Sequence, residues 1–473
     1  MKIGLVIEGS YPFVSGGVAS WVQMIIQEFQ EHEFTIFSIV PNKKTETDYR
    51  YDIPSNVKEI IVLPLNAVKE NELIQTNLTA EETKALQQWF TFQTNDAHAL
   101  NIISDKYKLG SLHSFFSSRE FYTIVQESYM YEQSSGSFLN YFWMWRSMFT
   151  PIIEILQINF PKLDIVHSVS TGYGGLLGAA IGAKTNTPFL LTEHGIYSRE
   201  REEEILQSSW IPVEYKNRWI SFFHHLSRQA YEQADNIITL FERNSSYQEE
   251  LGAPAHKLKV IPNGVTLSNY DNLRKAEGIA NPFVISAIIR VVPIKDLKTM
   301  IYAAKILEGK QIPFLFYLLG PDSEELEYAQ ECRDLITQLK LEKHVIMTGM
   351  VNIKEYLQKT DVLVLTSISE GQPLAMLEGM AAGIPWVVTD VGSCKELIFG
   401  QSNDSYGQCG FVVPPVSPEQ IAHYLEWYYH HPEYIKLFGD NGRNRIEAYY
   451  QLQNVVAKYR KLYEEKGAKT WPE

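Results

Sequence analysis

Cysteine is scarce in this chain: 3 residues of 473, Cys332, Cys394 and Cys409. Their spacing matches no metal-ligand pattern and builds no disulfide framework, which fits a reducing cytosol. Basic charge is also short. Lys and Arg number 42 against 56 Asp and Glu, a formal net charge of −14, which argues against nonspecific nucleic-acid binding. Long apolar runs are missing. The opening MKIGLVIEGSYPF is too short for the apolar region of a signal peptide and lacks a small-residue cleavage site. No run approaches the roughly 20 apolar residues of a spanning helix. The nearest, FLNYFWMWRSMFTPIIEILQI (138–158), carries Asn140 and Arg146. It reads as a buried helix broken by Pro151, with a docking surface as the alternative. There is no short-period repeat, no low-complexity tract and no Asp-rich or His-rich metal motif at a strand end.

What is present is a repeated strand–helix alternation. KIGLVIEG is a buried strand, SYPFVSGG a loop, VASWVQMIIQEFQ an amphipathic helix and FTIFSIV a second strand. From about 70 to 150 long amphipathic helical stretches take over, an insertion in the first domain. Alternation resumes at LDIVHSVS (163–170) and runs through PFLLTEHG, a long helix near 212–234 and DNIITLF to HKLKVIPNGV (256–265). A polar stretch, 266–281, reads as the crossing. PFVISAIIR then opens a second series: FLFYLLG, HVIMTG, DVLVLTS, IPWVVTD and GFVVPP. The length is too great for one ordinary core. The expected architecture is α/β, with two Rossmann-like αβα domains: 1–265, and 266–449. A last helix, about 450–473, is expected to pack back on the first domain.

Ligands of open α/β sheets bind beyond the carboxyl ends of the strands. SEGQPLAMLEGMAAGIPWVVTD (369–390) follows such a strand. Glu370 lies in its exit loop, Pro373 suits the first turn of a helix, and Glu378 falls inside that helix. Eight positions would separate the two carboxylates by roughly 12 Å. Ionised carboxylates accept only, so they suit paired hydroxyls, and the helix N-terminus between them suits a phosphate. Solvated helix-end charges are the plain alternative, but the small residues that follow allow a close helix–sheet approach. Arg290 ends the strand PFVISAIIR, and Lys295 comes five residues on, a fork and a point charge. Gly16 and Gly17 precede a helix, where backbone can approach an anion; a tight turn is the alternative. His194 stands just past a strand, with Glu193 as a possible cap. His167 and Tyr173 are candidates for an acceptor side, with core roles as the alternative. Arg199 and Arg201 are candidates for phosphate contact, and Arg199 with Glu203 equally for a helix-surface pair.

The pattern of Glu370, seven residues, Glu378 and GMAAGIPWVVTDVGSCKELI resembles the retaining glycosyltransferases of family 4, of GT-B fold, two Rossmann-like domains facing across a cleft. IIRVVPIKDLKTMIYAA and VIPNGV are similar to that family's phosphate-clamp and interdomain segments. EGSYPFVSGGVASWV and TEHGIYSRERE resemble the PelF subgroup, the cytosolic glycosyltransferases of the Pel exopolysaccharide system. The resemblance implies a UDP-sugar donor, UDP-glucose in that subgroup, with no cofactor and no metal. It implies that Arg290 and Lys295 grip the donor diphosphate and that Glu378 binds ribose. Glu370 would lie near the transferred sugar, with Gly371, Pro373 and Leu374 completing the donor set. Gly16 and Gly17 would approach the donor phosphates, and His194 would sit beside the sugar. It further implies a glycan acceptor, a cytoplasmic location and an inner-membrane polysaccharide synthase or export complex as partner. Two other readings stand beside it: a GT-B-shaped nucleotide-sugar epimerase, and a non-catalytic nucleotide-sugar-sensing scaffold.

Overall fold

The computed structural model describes residues 1–42, 48–65, 73–132, 136–273, 281–401 and 404–467. The chain forms two compact units: Met1–Val260 together with the chain from Tyr459, and Ile261–Lys458. The sequence reading placed its crossing after 265. Residues 274–280 of that crossing, the start of the expected insertion and the tail beyond 467 lie outside the described residues.

The first unit is built on β1 (Lys2–Glu8), β2 (Glu33–Val40), β3 (Val57–Pro64), β4 (Ile165–Ser168), β5 (Phe189–Glu193), β6 (Asn236–Thr239) and β7 (Leu258–Val260). They form one parallel sheet in the order β3-β2-β1-β4-β5-β6-β7. Helices cross between the strands: α1 (Gly17–Glu28) follows β1. Between β3 and β4 come α2 (Ala80–Phe90), α3 (Ala97–Ile103), α4 (Lys106–Leu109), α5 (Leu112–Phe116), α6 (Arg119–Tyr131) and α7 (Phe138–Leu156). Then follow α8 (Gly172–Thr185), α9 (Tyr197–Gln207), α10 (Val213–Gln233) and α11 (Glu242–Glu250). β1, β2, β4 and β5 are buried along most of their length, as a parallel sheet covered on both faces requires. The sequence reading did not include β3. It is an edge strand in which only Leu63 is fully buried, so neither a continuous apolar run nor a clean alternation marks it.

Pro151 does not break α7, as its sequence suggested, but lies inside it. An interior proline costs about 3 kcal/mol. Here Met148, Phe149, Ile152, Ile153, Ile155 and Leu156 bury one face around it, and that burial, on the order of 1.5–3 kcal/mol per large side chain, outweighs the penalty.

The second unit holds β8 (Phe283–Ile288), β9 (Phe314–Leu319), β10 (Val345–Gly349), β11 (Val362–Leu365), β12 (Trp386–Thr389) and β13 (Gly410–Val413). This sheet is also parallel, in the order β10-β9-β8-β11-β12-β13. Its helices are α12 (Leu297–Gly309), α13 (Leu326–Gln338), α14 (Ile353–Leu357), α15 (Leu374–Ala381), α16 (Cys394–Phe399), α17 (Pro418–His430) and α18 (Glu433–Tyr449). The final helix, α19 (Leu452–Gly467), belongs to the second unit up to Lys458 and to the first from Tyr459. Both units are thus Rossmann-like, as expected. Strand order reverses between β1 and β4 in one and between β8 and β11 in the other, and such reversals are where open sheets bind ligands. Among the described residues no helix is long and apolar enough to cross a membrane.

Candidate functional site

In the second unit the two strands flanking the reversal deliver the expected charges. Beyond β8 the chain carries Arg290 and then a short 3-10 turn, Pro293–Lys295. Asp296, at φ 49°, ends that turn and caps α12, its carboxylate accepting from the Thr299 amide at 3.3 Å and hydroxyl at 2.6 Å. Beyond β11 comes the loop of Glu370. The two loops are braced to each other: the Ile368 amide donates to the Ile294 carbonyl at 2.9 Å, and the Thr366 hydroxyl reaches the carbonyls of Lys295 and Asp296 at 3.0 and 2.9 Å. The Lys295 ammonium and the Glu370 carboxylate are in direct contact, and the Ser367 hydroxyl donates to the same oxygen at 2.6 Å. Both side chains are largely buried. Gly392, at φ 51°, lets a neighbouring loop close on this turn: a side chain there would overlap the carbonyls of Glu370 and Gly371. The Ser393 amide donates to the Gly371 carbonyl at 3.0 Å.

Arg290 donates from one nitrogen, Nη1, to both carboxylate oxygens of Glu324, at 2.7 and 2.8 Å, half exposed on both sides. Exposed pairs of this kind contribute about 0–1 kcal/mol, so Glu324 holds Arg290 only weakly.

Pro373 stands at the residue before α15, and Leu374 is the first of the helix. Gln372 is buried and receives the Asn263 backbone amide at 2.6 Å, while the Asn263 side-chain amide donates to the Gln372 carbonyl at 3.3 Å. Glu378 lies inside α15. Burial pushes its carboxyl above the ordinary range, while the Tyr270 hydroxyl and the Lys354 ammonium act the other way. The close helix–sheet approach expected here is real: a Cβ on Gly379 would overlap Leu363 of β11 and Trp386 of β12.

In the first unit Gly16 precedes α1 and Gly17 is its first residue, and a Cβ on either would meet no atom within 4 Å. The Gly16 amide reaches the Tyr51 hydroxyl at 3.4 Å. His194 follows β5 and packs edge-on to Trp21, ring centroids 5.0 Å apart. Its Nε2 has no hydrogen-bond partner among the described residues. Burial pulls its pKa down to about 4, so at neutral pH the imidazole offers a hydrogen bond and not a charge. Glu193 is more than a cap. It accepts from Thr171, the Tyr197 amide, Tyr231 and Gln248 at 2.7–3.1 Å.

The core alternative holds for His167, which is fully buried. Nδ1 meets the Tyr463 hydroxyl and Nε2 the Thr192 hydroxyl, both at 2.8 Å, so no ring nitrogen is left for an acceptor. Tyr173 is buried against Phe222 and Phe223. Its backbone amide, with that of Gly174, caps the Glu8 carboxylate at 3.1 and 3.3 Å. Arg199 is exposed and stacks over Tyr247 at 4.6 Å, and Arg201 pairs with Glu204 at 2.7 Å. The Arg199–Glu203 pair does not form among the described contacts.

The Domain of unknown function DUF3492 model matches residues 1–256, and the Glycosyl transferases group 1 model matches 269–445. The chain belongs to the DUF3492 family. It is similar to the MMP alpha-(1->4)-mannosyltransferase of Mycolicibacterium hassiacum, 25% identical over 64% of this chain and 70% of the relative. It is also similar to the UDP-Gal:alpha-D-GlcNAc-diphosphoundecaprenol alpha-1,3-galactosyltransferase of Escherichia coli, 26% identical over 64% and 75%. Its fold is like that of Anabaena HepE in complex with UDP, with a TM-score of 0.60 and 15% identity over 98% of this chain and 100% of that one. This DUF3492 member is therefore a glycosyltransferase of GT-B fold.

Sequence reading missed Ser367 and Glu324 of this glycosyltransferase, which touch the expected set, and Tyr270 and Lys354, which act on the charge of Glu378. Ser367 sits three residues from Glu370 and was within reach of a local reading. The others are brought in from distant segments by the fold. Among the described residues no group of three or more His, Cys, Asp or Glu could hold a metal ion.

Proposed function

We propose that this glycosyltransferase is retaining and metal-independent, transfers glucose from UDP-glucose, and serves a Pel-type exopolysaccharide pathway. The observation that carries the reading is the meeting of Lys295 and Glu370 at the reversal of the second sheet, with Arg290 two residues past β8. Negative charge develops on the leaving diphosphate during transfer, and fixed cations aimed at it lower the barrier. Arg290 supplies a fork for phosphate oxygens and Lys295 a point charge. Glu370, already holding Lys295 and Ser367, has acceptor capacity left for sugar hydroxyls. Glu378 takes the ribose diol, and Gly371, Pro373 and Leu374 bring the N-terminus of α15 to the donor. Gly16 and Gly17 leave an open, amide-lined helix start for donor phosphate, and neutral His194 offers its free Nε2 to the sugar. In the retaining course proposed, the departing phosphate takes the acceptor's proton on the face it leaves. The motifs shared with the PelF subgroup support the pathway, and the UDP complex of HepE supports the nucleotide.

The test is calorimetry with UDP, GDP and ADP, then with UDP-sugars, followed by transfer or slow hydrolysis of UDP-glucose in chelator. Selective UDP binding and turnover in chelator are expected. Equal binding of the three nucleotides, or full dependence on added Mn²⁺ or Mg²⁺, would count against the reading.

A further inference from the structure

Each sheet reverses its strand order once, and the donor set sits at the reversal of the second. The reversal of the first lies between β1 and β4, and α8 starts just beyond β4. A helix start at such a place is where an open sheet commonly seats a phosphate. Here the chain fills it with its own carboxylate. Glu8 closes β1, and its Oε2 accepts from the backbone amides of Tyr173 and Gly174 at 3.1 and 3.3 Å. Its Oε1 accepts from the Tyr197 hydroxyl at 2.7 Å. That hydroxyl is itself held in place. Gly172, at φ 67°, makes room for the Tyr197 ring at the start of α8, where a Cβ would overlap it. The buried Glu193 accepts from the Tyr197 amide at 3.1 Å and from the Thr171 hydroxyl at 3.0 Å, which ties the start of α9 to that of α8.

An ionised carboxylate has about four acceptor positions, and three donors from the fold occupy three of them. Glu8 remains partly exposed, and the next residue, Gly9, is exposed with open space around it: a Cβ there would meet no atom within 4 Å. Two hydroxyls nearby, those of Ser10 and Ser170, have no hydrogen-bond partner among the described residues. A Cβ on Gly174 would lie 3.0 Å from the Ser170 hydroxyl, on the turn that carries the Glu8 carboxylate.

We propose that Glu8 is an acceptor-binding residue that sets acceptor specificity: its carboxylate occupies the anion seat of the first unit and takes a hydrogen bond from a hydroxyl of a neutral glycan. This rests on the reading that the second unit takes the donor. A carboxylate that only accepts pairs well with a hydroxyl. It turns away a phosphate both by filling the helix start and by like charge, so discrimination comes partly from repulsion. No bond is made or broken at Glu8.

The test measures UDP affinity by calorimetry and transfer from UDP-glucose, UDP-galactose, UDP-N-acetylglucosamine and GDP-mannose. Maltotriose, cellotriose and chitotriose serve as neutral acceptors and glucose 6-phosphate as a charged one. The native protein is expected to use a neutral probe and to refuse the charged one. Glu8→Ala is expected to raise the KM of that neutral probe about 10–100-fold with UDP affinity unchanged. Inorganic phosphate is then expected to compete with the probe in Glu8→Ala but not in the native protein, because the Tyr173 and Gly174 amides are vacated. Tyr197→Phe keeps the ring and removes one donor, and is expected to raise the same KM about 3–10-fold, which keeps the test decisive should Glu8→Ala fold poorly. A native KM in both variants overturns the proposal. So does preferred transfer to glucose 6-phosphate, transfer to no neutral probe, or a loss of UDP affinity equal to the rise in KM, the mark of a merely structural role. If donor turnover stands and the KM is unmoved, only the role of Glu8 falls. If the native protein neither binds UDP nor turns over any of the donors, the donor reading falls and this one with it.

Discussion

Lys295 and Glu370 hold each other in a largely buried contact, with the Ser367 hydroxyl on the same carboxylate oxygen. Replacing the ammonium by an apolar tip of similar length removes a fixed cation from the leaving-group side and leaves Glu370 short of its partner. Lys295→Met is expected to lower kcat with UDP-glucose by about 10²–10³-fold, as read by steady-state kinetics alongside circular dichroism to establish folding. Much of this residue pattern was legible in the chain, because Arg290, Lys295, Glu370 and Glu378 sit at fixed offsets from strand ends that the apolar runs mark. His167 was not legible in the same way. A histidine at a strand end reads alike whether it faces a ligand or the core, and the helix that supplies Tyr463 lies 296 residues away. Tyr270 and Lys354 escaped for a related reason: a polar crossing and a short helix carry no periodic signal pointing at Glu378.

The element that sets the site most tightly is α15. Its small residues let it lie on β11 and β12, and Gly379 is the point of nearest approach. A side chain there must push the helix away from Leu363 and Trp386, and Glu378 moves with it. Gly379→Val is expected to destabilise the second unit by about 1–3 kcal/mol and to weaken UDP binding, measured by urea unfolding and calorimetry on the same preparation. The strands flanking the reversals were readable as short, continuous apolar runs bounded by turns. β3 was not, because an edge strand with a mostly unburied surface needs no such run. α7 was readable as a helix but not through Pro151, since tertiary packing overrode the local preference.

At the scale of the whole molecule, buried titratable groups dictate the response to acid. Burial holds His167 and His225 at about 3, against an ordinary value of 6.5. Below about pH 6.5 the unfolded chain therefore binds protons that the native first unit does not. Stability is lost as pH falls from there toward the folded values, by about 1.4 kcal/mol per pH unit for each histidine. Glu8 and Glu193 are raised by burial and act with the opposite sign between their folded values and 4.5. The histidine contribution is thus best seen as a difference. His225 packs on Trp89 and Phe92 with its Nε2 unpartnered among the described residues, so phenylalanine fits its surroundings. His225→Phe is expected to flatten the loss of stability below pH 6.5, the difference in slope approaching about 1.4 kcal/mol per unit near pH 5, read from urea midpoints of the first unit.

The division of α19 between the units bears on the order of synthesis. Tyr459 and Tyr463, whose rings are buried in the first unit beside His167, are translated only after everything from Ile261 to Lys458. Domains usually mature in the order in which they leave the ribosome. Here the nascent first unit must wait, its strand-end histidine uncovered, until nearly two hundred further residues have emerged, and the half made first is among the last to be finished.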